Sequence, residues 1–488
     1  MKLIRKLPIL NLKKEAFPFQ KDAFDLIKDT EYFAIFHEQG LGKSKIAIDL
    51  LYHWLQADEV ESVLIVTKNS LVKNWTDELT THGNMNPLIL SSNKSLNAER
   101  MALPGYVYLC NYEAIRGNTD SFLKFLKFRR VGIILDESTQ IKTPSSKITI
   151  SLHKLAKESK KRIIMTGTPL SNRPYDIWAQ IFFLDFGERL GNNFEEFKSK
   201  YDLSNDLSKD YAGRMIFENN LNLLSKKLED CSIRETKKTA GIKLPGRQFV
   251  AETVEMEKNQ RVLYQKLQKE LSAQVIKDDQ IVIDNVEVIL KRLIRLVQVC
   301  SNPKLVDESY NSINPKLEHT KKIFNEAKTN DSKIIIWTNF KDNVNQICEY
   351  FSHEGVVGIS GKVVQKERDK RISEFRNNKD TQILVATPGV AREGLTLVEA
   401  NYSIFFDRNF SLENYLQAQD RIYRISQTKE CYIYKLIYKN SIDEWVDSLL
   451  NAKEVAARFG QGDIDQNQYK EMISYDFTKI LEEILNTE

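Results

Sequence analysis

Three short groups of residues have the types and spacing needed for chemistry on a nucleoside triphosphate. Near the start of the chain, Glu38-Gln39-Gly40-Leu41-Gly42-Lys43-Ser44 combines glycines with a lysine and a hydroxyl. Asp136-Glu137-Ser138-Thr139 places two carboxylates side by side, and the segment from Gln417 to Gln427 carries two arginines. A phosphate loop, an acidic pair that holds a metal ion and a distant arginine pair are the parts of a two-lobed NTPase.

The segment from Gly40 to Ser44 lies between a predicted strand and a predicted helix, which is the context that a phosphate loop requires. Backbone N–H groups and the helix N-terminus would cradle phosphate oxygens, Lys43 would reach the β- and γ-phosphates, and the Ser44 hydroxyl would bind Mg²⁺. His37 stands where the full pattern has its first glycine. For this fragment alone, a plain helix start after a glycine turn is the alternative interpretation.

Asp136 and Glu137 end the apolar run Val131-Gly132-Ile133-Ile134-Leu135. Two carboxylates at the tip of a buried strand are costly unless a cation or a reaction uses them. In phosphoryl transfer, Asp136 would hold Mg²⁺ and Glu137 would polarise the attacking water. The alternative is an ordinary strand end followed by a helix cap.

Arg421 and Arg424 are spaced to share one face of a predicted helix. A guanidinium aimed at a γ-phosphate would stabilise the charge that develops in the transition state. A solvated basic face is the alternative for such a pair.

Two further segments carry weaker signals. Thr166-Gly167-Thr168-Pro169 follows a predicted strand, and its hydroxyls can couple a nucleotide site to a neighbouring lobe. Taken alone, the segment favours the alternative, a plain exit from the strand into a turn. Phe17-Pro18-Phe19-Gln20 offers an aromatic shelf and an amide for an adenine edge, or simply a helix start with a local apolar contact.

Short apolar runs alternate with helical stretches around these motifs, which predicts parallel sheets covered on both faces. The predicted strands of a first lobe are Tyr32 to Phe36, Val63 to Thr67, Tyr106 to Cys110, Val131 to Leu135 and Arg162 to Thr166, with a helix from Lys43 to Leu55. Those of a second lobe are Lys333 to Thr338, Gln382 to Thr387 and Tyr402 to Phe406. The predicted domains are a first lobe (1–176), a mostly helical region (177–328), a second lobe (329–445) and a helical tail (446–488).

Bulk properties set limits on the class of protein. With 488 residues, two or three domains are expected, and no run of eighteen apolar residues suggests a membrane span. Five scattered cysteines argue against a zinc site or a disulfide framework, so a reducing cytoplasm is the expected location. The net charge of +4 is nearly balanced, so a nucleic-acid partner would need a local basic groove.

Taken in order along the chain, these motifs resemble superfamily 2 helicase-like ATPases, and within them the Swi/Snf-like DNA translocases of a minimal bacterial or phage type. The matching segments are Gln20, Gly40 to Ser44, Leu64 to Trp75, Asp136 to Thr139, Thr166 to Asn172, Arg234 to Lys237, Cys300 to Pro303, Lys333 to Phe340, Thr387 to Leu397, and Arg421 with Arg424. That group usually lacks the first glycine of the phosphate loop, which accounts for His37.

Several positions depart from the family pattern. Lys68 replaces the usual proline, and Ala391-Arg392 and Thr396 replace paired glycines and an asparagine. Ser138-Thr139 stands in place of the usual Ala-His. The last difference leaves open what performs the coupling normally given to the histidine.

The resemblance implies an α/β fold with two RecA-like lobes, parallel sheets and an α-helical insertion between them. It implies ATP and Mg²⁺ as cofactors and DNA, duplex or branched, as a sequence-independent partner, with replication or recombination proteins as further candidate partners. The implied roles are catalysis by Glu137, Arg421, Arg424 and Lys43; nucleotide binding by Gln20, Gly40, Leu41, Gly42, Lys43, Ser44 and Gly394; Mg²⁺ binding by Ser44 and Asp136; and DNA contact by Thr67, Lys68, Asn111, Tyr112 and Thr387.

The implied activity is DNA-dependent ATP hydrolysis that drives translocation on duplex or branched DNA, with remodelling of forks or junctions as the favoured task. A strand-separating helicase of the same superfamily is one alternative. A motor or adaptor subunit of a larger DNA-processing complex is another, and the bacterial or phage-infected cytoplasm is the expected setting.

Overall fold

Two separate parallel β-sheets organise the chain in a computed structural model that describes residues 12–170, 172–202, 211–277, 280–281, 286–361, 363–391 and 395–472. The chain divides into two units, named here the first lobe (1–202, 214–242 and 457–466) and the second lobe (203–213, 243–456 and 467–488). The predicted fold class, α/β with two parallel-sheet lobes, is confirmed.

The first lobe contains a seven-stranded sheet in the order β3-β4-β2-β5-β6-β1-β7. Its strands are β1 Tyr32–Ile35, β2 Ser62–Thr67, β3 Leu88–Leu90, β4 Val107–Asn111, β5 Val131–Asp136, β6 Lys161–Met165 and β7 Ser232–Ile233. All neighbouring strands run parallel. Because β2 and β6 are buried along their whole length, the centre of the sheet is covered on both faces.

The helices that surround this sheet are α1 Pro18–Ile27, α2 Lys43–Gln56, α3 Val72–His82, α4 Lys94–Ala102, α5 Tyr112–Phe128, α6 Lys147–Ala156, α7 Trp178–Asp185, α8 Phe194–Tyr201 and α9 Tyr211–Glu229. Short 3₁₀ turns occupy Asn69–Leu71, Ser138–Ile141 and Pro174–Ile177. The core includes Trp54 from α2 and Trp75 from α3, both fully buried.

The second lobe contains a six-stranded parallel sheet in the order β12-β13-β11-β14-β15-β8. Its strands are β8 Arg247–Val254, β11 Lys333–Trp337, β12 Val356–Ile359, β13 Ile383–Ala386, β14 Ala400–Phe405 and β15 Cys431–Tyr438, beside a small antiparallel pair, β9 Ile276–Lys277 and β10 Gln280–Ile281. The remaining helices are α10 Lys258–Val275, α11 Val286–Ser301, α12 Pro315–Thr329, α13 Lys341–Tyr350, α14 Gln365–Asn377, α15 Pro388–Ala391, α16 Leu412–Gln419, α17 Ile442–Gly460 and α18 Gln466–Met472, with a 3₁₀ turn at Pro303–Leu305.

The eight strands predicted from apolar runs are all present, with ends that shift by one or two residues. The sequence analysis missed seven strands, β3, β7, β8, β9, β10, β12 and β15. β7 has only two residues, and β8 alternates between exposed and partly buried positions at a sheet edge, so neither forms an apolar run. In both cases pairing with a strand distant in sequence, β1 or β15, stabilises the extended conformation.

The region 177–328 contains the predicted helices, which include α9 and α10. Its residues are divided between the two lobes: 177–202 and 214–242 group with the first, and 203–213 and 243–328 with the second. The domain boundaries drawn from the sequence stay predictions. Among the described residues, no helix combines the length and the apolar character of a membrane span.

An ion pair with almost no exposed surface lies inside the second lobe. Lys316 Nζ contacts Asp443 Oδ2 at 2.7 Å, and the same carboxylate oxygen accepts a hydrogen bond from the Tyr438 backbone N–H at 3.1 Å. The lysine side chain is 0% exposed, so its charge has no access to water. Removing one partner of such a pair leaves the other charge buried and uncompensated.

We therefore predict that Asp443→Ala lowers the free energy of unfolding by about 3–5 kcal/mol, the typical cost of breaking a buried pair. Asp25→Ala removes an exposed partner of Lys28 and is the matched control. Urea unfolding followed by circular dichroism measures both variants. Equal midpoint shifts in the two variants would contradict the buried-pair argument.

Candidate active site

The loop between β1 and α2 has the backbone geometry of an anion cradle. Gly40 and Gly42 adopt positive φ angles of 87° and 68°, and Gly42 immediately precedes the first residue of the fourteen-residue helix α2. These conformations favour glycine and turn backbone N–H groups toward one point at the helix N-terminus. Lys43 Nζ donates to the carbonyl oxygens of His37 (2.9 Å) and Glu38 (3.4 Å), so its ammonium group lies within the same loop.

Gln20 connects the start of α1 to this loop. Its side-chain Oε1 accepts a hydrogen bond from the Phe17 N–H at 3.0 Å, and its Nε2 donates to the Leu41 carbonyl at 3.0 Å. The Phe17 and Phe19 rings stack with centroids 5.9 Å apart, and Phe17 is 53% exposed. An amide and an exposed ring therefore stand beside the loop, and their roles toward an adenine stay predictions.

His37 is fully buried at the position of the missing first glycine. Burial, together with the charges of Lys43 and Arg234, lowers the pKa of His37 to about 3. The imidazole is therefore neutral at physiological pH. His37 therefore adds no second positive charge beside Lys43.

The segment Arg234 to Lys237 contacts Phe36 and Glu38, which come just before the glycines of the loop. Arg234 Nη1 donates to the Phe36 carbonyl at 2.6 Å, and the Glu38 N–H donates to the Glu235 carbonyl at 2.7 Å. Lys237 donates its backbone N–H to Glu38 Oε2 at 2.7 Å and pairs its ammonium with Glu38 Oε1 at 3.0 Å. The sequence resemblance identifies this segment as a family signature, and the structure shows that it supports the phosphate loop.

The Asp136 side chain lies at the end of β5 and is held by two donors. Thr67 Oγ1 donates to Asp136 Oδ2 at 2.9 Å, and Trp75 Nε1 donates to the same oxygen at 2.7 Å. The Tyr112 hydroxyl donates to the Asp136 backbone carbonyl at 2.8 Å. Burial raises the pKa of Asp136, the neighbouring charge of Glu137 raises it further, and the two hydrogen bonds oppose this rise.

Glu137 has a backbone conformation that is unusual for a side chain with a β-carbon. Its φ and ψ are both 54°, in the left-handed region, which costs on the order of 1–3 kcal/mol outside glycine. Its Oε2 atom is buried and has no hydrogen-bond partner among the described residues. Strain and an unsatisfied carboxylate oxygen occur together at sites where a reaction uses the group.

These residues fit a nucleoside triphosphate with its magnesium ion. The loop offers backbone N–H groups and the Lys43 ammonium to phosphate oxygens, and the charge of Lys43 also acts on the Asp136 carboxylate. The Ser44 hydroxyl and the Asp136 carboxylate are oxygen ligands of the kind that Mg²⁺ prefers. The unsatisfied Glu137 oxygen remains available to a water molecule.

The turn after β6 packs against the phosphate loop. The Thr166 N–H donates to the Ile35 carbonyl at the end of β1 at 3.2 Å, and the Thr168 N–H donates to Thr166 Oγ1 at 3.2 Å. A β-carbon on Gly167 would lie 2.6 Å from Gln39 Cγ and 3.1 Å from Gln39 N. Any larger residue at this position would require Gln39 to move.

The predicted arginine pair lies in the second lobe, and one expectation about it is wrong. Helix α16 ends at Gln419, so Arg421 and Arg424 occupy the following turn and not a helical face. The Arg421 Nε–H donates to the Gln417 carbonyl at 2.9 Å, which satisfies a carbonyl in the last turn of the helix, and its side chain is almost fully buried. Arg424 donates to the Asp420 carbonyl at 3.0 Å and to Thr396 Oγ1 at 2.5 Å.

The residues predicted to contact nucleic acid fall into different environments. Thr67 and Tyr112 are buried and support Asp136, as described above, so a contact of Thr67 with DNA would have to involve its backbone. Asn111 caps α5 through the Ala114 N–H at 2.8 Å. Lys68 Nζ is buried and has no hydrogen-bond partner among the residues that the structure describes.

Two remaining candidates belong to the second lobe. Thr387 follows β13, and its N–H donates to the Ile359 carbonyl at 3.2 Å. Gly394 lies outside the described residues. The functional roles of all these residues stay predictions, and the structure places the phosphate loop, the acidic pair and the Thr166–Pro169 turn within one lobe.

Asp407, which the sequence analysis missed, organises the second lobe at the ends of β11 and β14. Its Oδ2 accepts hydrogen bonds from the hydroxyls of Ser301 and Thr338, both at 2.5 Å. Its Oδ1 accepts from the Asn339 backbone N–H at 2.7 Å and side-chain amide at 2.8 Å. Ser301 and Asn339 belong to segments that the motif pattern identifies; a lone aspartate after an apolar run gave no comparable signal.

Comparison with known proteins identifies two domain families in the chain. The SNF2-related domain model matches residues 33–305, and the helicase conserved C-terminal domain model matches residues 315–426. The chain is similar to an uncharacterized ATP-dependent helicase of Mycoplasma genitalium, with 26% identity over 91% of this chain and 42% of that protein. It is also similar to a DNA repair and recombination protein RAD54-like of Gallus gallus, with 23% identity over 83% of this chain and 61% of that protein.

Among solved structures, the chain is similar to the Sulfolobus solfataricus SWI2/SNF2 ATPase core in complex with dsDNA. The identity is 26%, the TM-score is 0.43, and the match covers 99% of this chain and 100% of that one. With 42% of its length covered, the Mycoplasma genitalium relative is more than twice as long as the part that this chain matches.

From the packing of the turn after β6, we predict that Gly167→Ala weakens nucleotide binding by about tenfold or more. The added methyl group displaces the Gln39 side chain and presses on its backbone nitrogen, and a displacement that costs about 1.4 kcal/mol in binding is a tenfold loss. Titration with a fluorescent ADP analogue measures the dissociation constant. Gly117→Ala is the matched control, because a β-carbon there meets nothing within 4 Å. Equal affinities in the two variants would contradict the close approach.

Proposed function

The chain belongs to the SNF2-related family of ATP-dependent helicase-like enzymes, and from this premise we propose that it is a DNA-stimulated ATPase that translocates on duplex or branched DNA. ATP binds through Gln20 and the loop residues Gly40, Leu41, Gly42, Lys43 and Ser44. Ser44 and Asp136 would hold Mg²⁺, which would neutralise charge on the phosphates.

The first lobe carries the hydrolytic groups of this proposal. Lys43 contacts the β- and γ-phosphates, and Glu137 orients and polarises the attacking water. The raised pKa of Asp136 reflects a carboxylate that is buried beside another carboxylate, and a divalent cation relieves that repulsion. Arg421 and Arg424 of the second lobe are proposed to stabilise the charge that develops on the γ-phosphate.

One observation carries the proposal: the acidic pair is strained, organised and unsatisfied at the same time. Asp136 is fixed by Thr67 and Trp75, while Glu137 keeps a left-handed backbone and a buried oxygen that no described residue hydrogen-bonds. A purely structural strand end needs neither feature. An adaptor with an inactive pocket would not need to retain them together with Lys43.

Two observations support DNA as the partner: the family to which the chain belongs and the position of Lys68. The RAD54-like relative is named for DNA repair and recombination. Lys68 follows β2, and its buried ammonium group has no partner within the described part of the chain, a position that suits a phosphate oxygen. Contacts to phosphates are independent of base sequence, so binding is expected to be general and strongly dependent on salt.

Remodelling of forks or junctions is the favoured task. The alternatives are a strand-separating helicase, and a motor or adaptor subunit of a larger DNA-processing complex. Steady-state ATP hydrolysis with no nucleic acid, single strands, linear duplex, a four-way junction and duplex RNA separates them. Stimulation by duplex or junction DNA supports translocation, stimulation by single strands alone favours strand separation, and no hydrolysis with any of them favours an adaptor.

Removal of a central group tests the hydrolytic assignment. We predict that Lys43→Ala and Glu137→Gln each abolish DNA-stimulated ATP hydrolysis, with losses of about 10³-fold or more, as expected for groups that stabilise or orient the reacting atoms. Glu137→Gln should still bind ATP, because the phosphate loop is intact. Normal turnover in either variant, measured by phosphate release, would refute the assignment.

A second variant tests the DNA contact. We predict that Lys68→Ala weakens duplex binding equally for all sequences and reduces the slope of log Kd against log salt concentration by about 1. Fluorescence anisotropy at a series of salt concentrations gives this slope. Lys200→Ala, which removes an exposed lysine paired with Glu196, is the control and should leave the slope unchanged. An unchanged slope in Lys68→Ala would exclude a phosphate contact by this residue.

A further inference from the structure

A chain of hydrogen bonds links the turns that follow β5 and β6 in the first lobe. The Ser138 hydroxyl, adjacent to Glu137, donates to Gln180 Oε1 at 2.7 Å. Gln180 Nε2 donates to the carbonyl oxygens of Pro169 at 3.3 Å and Asp176 at 3.0 Å. We name this arrangement the Ser138–Gln180–Pro169 bridge.

The side chains of the bridge are shielded from solvent, and the Gln180 amide has only one orientation that satisfies its hydrogen bonds. Ser138 and Gln180 are both 0% exposed, so water does not replace these hydrogen bonds. Two carbonyl oxygens can only accept, so the amide NH₂ of Gln180 must face Pro169 and Asp176. Its oxygen is then left for the Ser138 hydroxyl. A side chain that only donates or only accepts hydrogen bonds could not satisfy both sides.

The two turns that the bridge connects lie next to the groups assigned to hydrolysis. β5 and β6 are neighbours, with Asp136 paired to Met165 in the sheet register. One turn carries Glu137 in its left-handed conformation, and the other presses Gly167 against Gln39 of the phosphate loop. A shift of either turn therefore changes the position of Glu137 relative to the loop.

A second contact runs parallel to the bridge. Lys142, which follows the 3₁₀ turn at Ser138–Ile141, pairs with Asp176 Oδ2 at 3.7 Å. The Asp176 carbonyl is one of the two oxygens that accept from Gln180. The turn that follows Glu137, from Ser138 to Lys142 and named here the acidic turn, therefore contacts the segment after Pro169 at both of its ends.

We propose that Gln180 is a positioning residue that couples the acidic turn to the Thr166–Pro169 turn. It takes over the task for which the resembling family uses a histidine at the position of Thr139. Gln180 touches neither nucleotide nor water in this scheme; it acts through Ser138 and Pro169. The inference rests on the hydrolytic assignment of the first lobe and is independent of the proposed action on DNA.

Two substitutions each remove hydrogen bonds of the bridge, one at Gln180 and one at Ser138. Gln180→Met keeps the length of the side chain and removes its hydrogen bonds, and Ser138→Ala removes only the donor beside Glu137. We expect each to lower kcat for ATP about tenfold with KM for ATP nearly unchanged, because the phosphate loop is not altered. The double variant should be no slower than the slower single variant, since both changes break one connection.

The matched control is Ser151→Ala, at a buried serine of the same lobe that donates to the Lys147 carbonyl at 2.8 Å. It should leave kcat unchanged. Melting temperatures of all variants identify any loss of folded protein. If Gln180→Met does not fold, Ser138→Ala compared with Ser151→Ala decides: a tenfold fall in kcat in the first alone supports the bridge, and equal rates overturn it.

Two results would overturn the coupling and leave Gln180 with a packing role. One is a loss of kcat in the double variant equal to the product of the two single losses, and the other is a rise in KM with kcat unchanged. All rates are measured with and without duplex DNA. A wild-type rate that DNA does not change would refute the proposed function on DNA. The bridge would still be judged on the rates without DNA.

Discussion

The Asp136 carboxylate is the group on which the arrangement of the first lobe depends. A charge at the end of a buried strand is expensive unless hydrogen bonds compensate for the lost water. Thr67 and Trp75 supply those hydrogen bonds from the end of β2 and from α3, and Tyr112 at the start of α5 binds the carbonyl of the same residue. One residue therefore connects three elements, β2, α3 and α5, to the end of β5.

Parallel strands explain why so many polar groups meet at one edge of this sheet. The phosphate loop follows β1, the acidic pair ends β5, the Thr166–Pro169 turn follows β6, and Asn111 ends β4. Because all strands run in one direction, their carboxyl ends share an edge, where ligands of open α/β sheets bind. The two-residue strand β7 adds the segment from Arg234 to Lys237 to the same edge, where it holds the phosphate loop.

In the second lobe, too, a carboxylate at the end of a strand accepts hydrogen bonds from several segments. Asp407 joins Ser301 of α11 to Thr338 and Asn339 after β11, so its carboxylate connects two segments that are distant in sequence. Arg421, which lies in the turn after α16, donates hydrogen bonds to the carbonyl oxygens of Gln417 and Leu395. These two hydrogen bonds fix the orientation of its guanidinium group.

The sequence by itself determined the family, the α/β class, most of the strands and the phosphate loop with its acidic pair. These features depend on local patterns: apolar runs set buried strands, and glycines beside a lysine at a helix start set the loop. It did not reveal β7, β8 or Asp407, because their stability comes from partners distant in sequence.

Only the tertiary structure decided which side chains act on one another. The sequence showed that Ser138-Thr139 replaces the usual pair but not that Gln180, some forty positions later, completes the connection. It placed Arg421 and Arg424 on a helix, whereas hydrogen bonds to Gln417 and Asp420 hold them in the turn beyond it. Periodicity describes one element at a time, while hydrogen bonds between buried groups depend on how elements pack, and packing is a property of the whole lobe.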